Sequence, residues 1–148
     1  METRERREVK HSVKKAITLH RSFGKKETLA LVADPKGPFI EGERYVFALD
    51  TDGRLLAHPY SKELVGRSLV NLQDSQGQSF VREMLTKVKR SGNGFIGYMW
   101  PVPDTKEELY KIVFFEKVDG LILCSGFYAV KDGPLEAMYI YLGPFMPF

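Results

Sequence analysis

One boundary constrains this chain more than any other feature. A hydrophobic period of three to four residues runs as far as Ala33 and stops at Asp34-Pro35-Lys36-Gly37-Pro38. Beyond that point apolar residues recur at a period of two. Proline restricts the residue before it and glycine supplies a turn, so the segment ends a helix and delivers the chain into extended structure. Upstream, Val9, Val13, Ala16, Ile17, His20 and Gly24 form one stripe on a charged cylinder, and Leu29, Val32 and Ala33 extend the helical run. Gly24 is placed either to bend that helix or to sit against a neighbour.

Downstream, Tyr45 to Asp50 is rich in strand formers, and Thr51-Asp52-Gly53 has hairpin chemistry. Arg54 to His58 reads as the returning strand, which Pro59 ends. Residues 60–77 are irregular, punctuated by Gly66 and Gly77. Ser79 to Arg90 is helical, with Phe80, Met84, Leu85 and Val88 on one stripe. A turn at Gly92-Asn93-Gly94 then leads into three further strands: Phe95 to Trp100, Leu109 to Lys117 and Leu121 to Ala129. Pro101, Pro103 and Asp104 make the first of the two connections, and Asp119-Gly120 is a two-residue hairpin signal. Pro134 to Tyr141 has the pattern of a short helix. The pattern predicts an α+β fold, a long N-terminal helix packed on a five-stranded antiparallel sheet. It divides into a helical segment (1–33), a core (34–130) and a C-terminal tail (131–148).

Composition narrows the function classes. The chain has 148 residues, the size of one domain, and is 43% hydrophobic and 12% aromatic, which excludes disorder. A single Cys and three His, far apart in sequence, provide neither a disulfide framework nor a structural zinc site. No cofactor or metal is expected. Residues 1–28 hold nine Lys/Arg against four Asp/Glu, but the charges alternate in sign without interleaved aromatics. That is a solvated helix face rather than a nucleic-acid surface, and no nucleic-acid partner is expected. No stretch approaches the roughly 18 apolar residues of a membrane span, and Met1 is followed by charges rather than an apolar core. Two placements stay open on these residues: a cytosolic protein, or a piece of a longer exported chain.

Enzyme motifs are absent: no phosphate-cradling Gly-rich loop, no HExxH, no GxSxG. Asp50 and Asp52 imitate a carboxylate pair but flank a turn, and Cys124 lies in an apolar strand as a small core residue. More informative are polar groups inside apolar strands. Lys111 sits in Leu-Tyr-Lys-Ile-Val-Phe-Phe, where a desolvated ammonium needs an anion. His58 ends a strand of Leu and Ala, and Tyr98 and Trp100 share one strand face. Together they would suit a small carboxylate, with one charge partner, several donors and rings to cover the carbon end. Strand alternation equally allows Lys111 to face solvent, with the others as ordinary core residues, so the residues alone leave both readings open.

Several blocks, in order, carry a family resemblance. Tyr45-Val-Phe-Ala-Leu-Asp-Thr-Asp-Gly-Arg-Leu-Leu-Ala-His-Pro59 resembles the opening strands of single Cache sensor domains. The likeness extends back to Pro35-Lys-Gly-Pro-Phe39 and forward through Leu64-Val-Gly66, Leu72-Gln-Asp74, Gln76-Gly-Gln-Ser-Phe80 and Gly94-Phe-Ile-Gly-Tyr-Met-Trp-Pro101. It continues at Lys111-Ile-Val-Phe114 and Cys124-Ser-Gly-Phe-Tyr128, and covers residues 9–129 in all. The resemblance implies an extracytoplasmic ligand sensor with a PAS-like sheet, of the kind found between the membrane helices of chemoreceptors and sensor kinases or as small exported proteins. Its expected location is periplasmic or extracellular, with membrane attachment only through segments outside this chain. The ligands it implies are short carboxylates such as acetate, propionate, pyruvate and lactate. By position, His58, Tyr98, Trp100 and Lys111 fall on the family's motif residues. Tyr45 and Phe47 are weaker candidates for the same cavity, and Arg67 reads better as a solvated loop residue than as a second cation. A homodimer through the N-terminal helix is a further expectation, and a ligand-free PAS-like dimerisation module is the alternative. The apolar tail Tyr139 to Phe148 has no counterpart in the family and is expected to fold back on the sheet.

Overall fold

The computed structural model describes residues 2–129; the tail, with the helix expected at Pro134 to Tyr141 and the fold-back expected of Tyr139 to Phe148, lies outside the described residues. Helix α1 spans Arg4–Ala33, capped by the Thr3 side chain, which accepts from the Arg6 N–H. Gly24 interrupts it with φ 87° and ψ 176°, a combination open essentially to glycine alone. Of the two sequence readings for Gly24, the bend is the one observed; an added Cβ there would touch nothing within 4 Å.

Five strands follow: β1 (Val46–Asp50), β2 (Leu55–Ala57), β3 (Asn93–Pro101), β4 (Glu108–Val118) and β5 (Leu121–Tyr128), with helix α2 (Phe80–Ser91) between β2 and β3. They form one antiparallel sheet in the order β2-β1-β5-β4-β3. Asp50 makes the first hairpin turn, its Oδ1 accepting from the Asp52 and Arg54 N–H groups at 2.9 Å each. The carboxylate is thus a turn device, as its sequence context implied.

Most boundaries shift by a residue from the sequence expectation, and three of the shifts have a clear physical reason. The Gly92-Asn93-Gly94 turn shrinks to one residue: Gly92 adopts φ 81°, donates to the Val88 carbonyl and closes α2, and Asn93 already pairs with Glu116. Pro101 belongs to β3, paired with Glu108, because β3 is an edge strand where a missing N–H costs nothing. His58 lies beyond β2, since its ring is used to build the next turn.

The sheet carries a hydrophobic core on each face. On one, Val9, Val13, Ala16, Ile17 and Val32 of α1 pack against Val46, Ala48, Phe114 and Leu123. On the other, Phe80, Val81, Met84 and Val88 of α2 pack against Tyr45, Phe47, Tyr98, Phe115 and Cys124. The segment 60–79 straps across this second face. At the β2 edge it is held by backbone bonds between Leu55 and residues 66 and 67, at 2.7 and 3.0 Å. At the β3 edge the Asp74 carboxylate holds it, accepting from the Met99 N–H at 2.9 Å through Oδ2 and from Gln76 and Gln78 through Oδ1. No helix among the described residues is long and apolar enough to cross a membrane.

Candidate functional site

Strand register brings the polar residues of the second face together. Tyr98 of β3 lies directly opposite Lys111 of β4, which lies opposite Tyr128 of β5. The Lys111 side chain then crosses β5 to reach Tyr45, the residue just before β1. Gly126 makes that crossing possible, because a Cβ there would stand 2.9 Å from Lys111 Cε and 2.7 Å from the Ile112 carbonyl oxygen. Lys111 is 1% exposed. The solvent-facing alternative for this residue is therefore corrected: β4 is an internal strand with both faces covered where Lys111 lies, so alternation could not send Lys111 to water.

The ammonium position is built from aromatic groups. Lys111 Nζ donates to the Tyr45 hydroxyl at 2.8 Å and lies 4.1 Å from the Tyr45 ring centroid, 5.1 Å from that of Phe47 and 5.5 Å from that of Tyr128. Ring faces attract a cation, but less than water would. No carboxylate among the described residues pairs with it. Desolvation accordingly lowers the Lys111 pKa from 10.5 to about 7.

His58 is fixed by its own turn. Its Nδ1 accepts from the backbone N–H groups of Tyr60 (3.0 Å) and Ser61 (2.9 Å). A ring nitrogen that accepts carries no proton, so the neutral ring keeps its hydrogen on Nε2. Burial, and then the nearby Lys111, depress the His58 pKa to about 3 and hold the ring neutral. Its ring lies 4.8 Å from Tyr45 and 5.6 Å from Phe47, centroid to centroid. On the opposite wall, Tyr98 stacks on Phe80 at 3.9 Å and Trp100 meets Phe80 edge-on at 5.6 Å. Burial raises the phenol pKa values of Tyr45 and Tyr98 well above 10, and that of Tyr128 to about 12.

These walls enclose a cavity of about 10 Å³, room for roughly one water. Phe47, His58, Tyr98, Trp100 and Lys111 all line it. Tyr45 stands behind Lys111 as its hydrogen-bond partner. Arg67 is exposed and does not line the cavity. Sequence reasoning missed the apolar lining, namely Leu55, Leu64 and Leu69 with Phe80 and Val81 of α2. It also missed Tyr128, whose signal was its period-two spacing from Cys124 on one strand face. Leu64 and Leu69 belong to the strap, whose position depends on long-range backbone bonds that no local pattern encodes. Cys124 is fully buried, with its thiol pKa pushed up by desolvation, which leaves it an inert core residue.

A long helix on one face of this sheet order, with a mostly apolar cavity holding a buried amine under a strap on the other, is the architecture of a PAS-like sensor domain of the Cache type. The chain belongs to the single Cache domain 2 family, whose model matches residues 2–129. Solved structures share the fold. One, described as the structural basis for carboxylic acid recognition by a Cache chemosensory domain, is 24% identical with a TM-score of 0.72, over 87% of this chain and all of that one (100%). A methyl-accepting chemotaxis protein from Vibrio parahaemolyticus gives 20% identity and a TM-score of 0.72, over 83% of this chain and 87% of that one. A periplasmic sensor domain of a chemotaxis protein gives 22% and 0.68, over 84% and 90%.

Proposed function

We infer that this Cache sensor domain binds a short carboxylate, of the acetate, propionate, pyruvate or lactate class, in the cavity beneath the strap, and that binding serves signalling rather than catalysis. One observation carries the reading: a fully buried amine, Lys111, with aromatic groups around it and no carboxylate among the described residues to pair with it. Leaving a buried cation unpaired is costly, and a ligand carboxylate removes that cost. Lys111 would neutralise the acid, while His58 Nε2–H, the Tyr98 hydroxyl and the Trp100 indole N–H supply donors. Leu64, Leu69 and Phe47 limit ligand length. A carboxylic-acid-recognising Cache domain among the similar folds supports the same class.

A two- to three-carbon acid needs more room than the present cavity offers, so the strap must lift to admit it. It is held by paired backbone bonds at the β2 edge, with a further one from Leu69 to Gly53, and at the β3 edge by side chains, the Asp74 carboxylate on the Met99 N–H and the Ser75 hydroxyl on Glu108. Opening at the Asp74 end therefore breaks fewer bonds. An extracytoplasmic location and a homodimer through α1 accompany this reading. Phe23, 66% exposed beside the Gly24 break, is the apolar residue α1 offers to such a contact.

The contracted cavity is also the observation that favours a second reading, a ligand-free PAS-like dimerisation module. A thermal-shift screen separates the two. Ligand at a hundred times its Kd stabilises by about 2.7 kcal/mol, a rise of several degrees for a domain of this size. A rise with one small acid that vanishes in Lys111→Met supports the sensor. No rise with any of them, together with self-association that Phe23→Ser weakens, supports the module.

A further inference from the structure

Among the described residues, charge in the cavity has a single source near neutral pH. From β1, β3 and β5 the groups facing Lys111 are the Tyr45, Tyr98 and Tyr128 phenols and the Cys124 thiol, all held neutral by burial. From the turn after β2 it is His58, whose ring stays neutral down to about pH 3. Helix α2 presents Phe80, Val81 and Met84, and α1 lies on the other side of the sheet. The charged groups Asp74, Glu43 and Lys62 act on Tyr98, Tyr128 and His58 respectively, and Asp104 acts on Tyr60; none is paired with Lys111. Among the described residues, Lys111, at about 7, is thus the one group in the cavity that changes charge between mildly acidic and mildly alkaline pH.

Among the described residues the amine's hydrogen bond goes to a phenol, which can accept from an ammonium or donate to a neutral amine and so does not fix the charge state. Beside a neutral amine, an incoming carboxylate would itself become the unpaired buried charge. Beside an ammonium, the pair is neutral as a whole. We propose that the cavity takes up a small carboxylate only together with a proton on Lys111, so that the domain reports acid anion and acidity jointly rather than the anion alone. This rests on the carboxylate reading of the same cavity. It gives the site a regulation that an arginine, always charged, would not provide. A carboxylate ligand, with an ordinary pKa near 4, stays ionised throughout this range, so the proton bound is the protein's.

The test is calorimetric titration of the full chain with acetate, propionate, pyruvate and lactate at about pH 6 and about pH 8.5, each in two buffers of different ionisation enthalpy. For a group titrating near 7, linkage predicts binding about 30-fold weaker at the higher pH, with uptake of close to one proton per acid bound there. Lys111→Arg, if it accepts the acid, should bind it with no such pH dependence. The wild-type proton count decides the matter even where arginine does not fit. An acid that binds equally at both pH values without proton uptake overturns this proposal and leaves the carboxylate reading standing. Absence of binding by all four acids at both pH values overturns both.

Discussion

The two faces of the sheet are covered to a similar depth but filled differently. Under α1, Val9, Val13, Ala16 and Ile17 meet Val46, Ala48, Phe114 and Leu123; the buried polar groups are the hydroxyls of Ser12, Thr28 and Ser125, and the ion-pairing contacts, such as Lys14 with Glu116 and His20 with Asp119, stand at the margins. Under α2 and the strap, the centre itself is polar: Lys111, His58, Tyr45 and Tyr98 are all buried. A face whose buried polar groups are few, uncharged and hydrogen-bonded keeps nearly the full stabilisation of apolar burial, roughly 25 cal/mol per Å². A face that buries an unpaired amine forgoes part of that stabilisation and retains an unmet electrostatic demand. On the proposed reading, the face that buries the amine is the one that recognises the ligand.

Substitutions can break this division. The largest expected effect is at Phe114, buried on the α1 face and 5.1 Å from the Phe95 ring. Phe114→Ala should cost about 3–5 kcal/mol in urea unfolding. Lys111→Met should do the reverse on the cavity face, leaving the ligand-free domain at least as stable as wild type at neutral pH. The sign follows from proton counting. Lys111 titrates at about 7 in the fold and at 10.5 in the unfolded chain, so between those values the unfolded state holds the extra proton. Wild-type stability then gains up to about 1.4 kcal/mol per pH unit across that window from this residue alone. The advantage of Lys111→Met should therefore be greatest below pH 7 and shrink as pH rises, which unfolding curves over a pH series would reveal. An advantage that stays constant would mean that Lys111 is not desolvated.

Smaller effects sharpen the comparison. Gly24→Ala should cost about 1–3 kcal/mol through backbone strain alone, since its Cβ would touch nothing. Acid binding should be unaffected, because Gly24 belongs to the α1 face. Tyr98→Phe should leave the fold intact and weaken acid binding by about 0.5–1.5 kcal/mol, the worth of one hydrogen bond, in calorimetric titration. Equal binding would mean that the Tyr98 hydroxyl does not reach the ligand.

Much of the fold was legible because its signals are local. The helix stop at Asp34-Pro35-Lys36-Gly37-Pro38, the Asp119-Gly120 hairpin and the α2 stripe each depend on neighbours in sequence. The site was legible only in part. Lys111, His58, Tyr98 and Trp100 stood out as polar or amphipathic groups in or at the end of strands, and the family resemblance added Tyr45 and Phe47. Whether Lys111 is buried was not readable, because alternation gives a side and not what covers it. That answer required the sheet order, which makes β4 internal, and the absence of a side chain at Gly126. The strap residues Leu64 and Leu69 were opaque for the same reason. Their positions are fixed by bonds to Leu55 and Gly53, which no periodicity within residues 60–77 announces.

The division between faces is tested most directly by titrating one short carboxylate, the best of the four acids, into three proteins at about pH 6: wild type, Lys111→Met and Phe114→Leu. Binding to wild type and Phe114→Leu, with loss of binding in a fully folded Lys111→Met, is the predicted result. Binding to Lys111→Met as tight as to wild type would contradict the account, because recognition would then not depend on the buried amine.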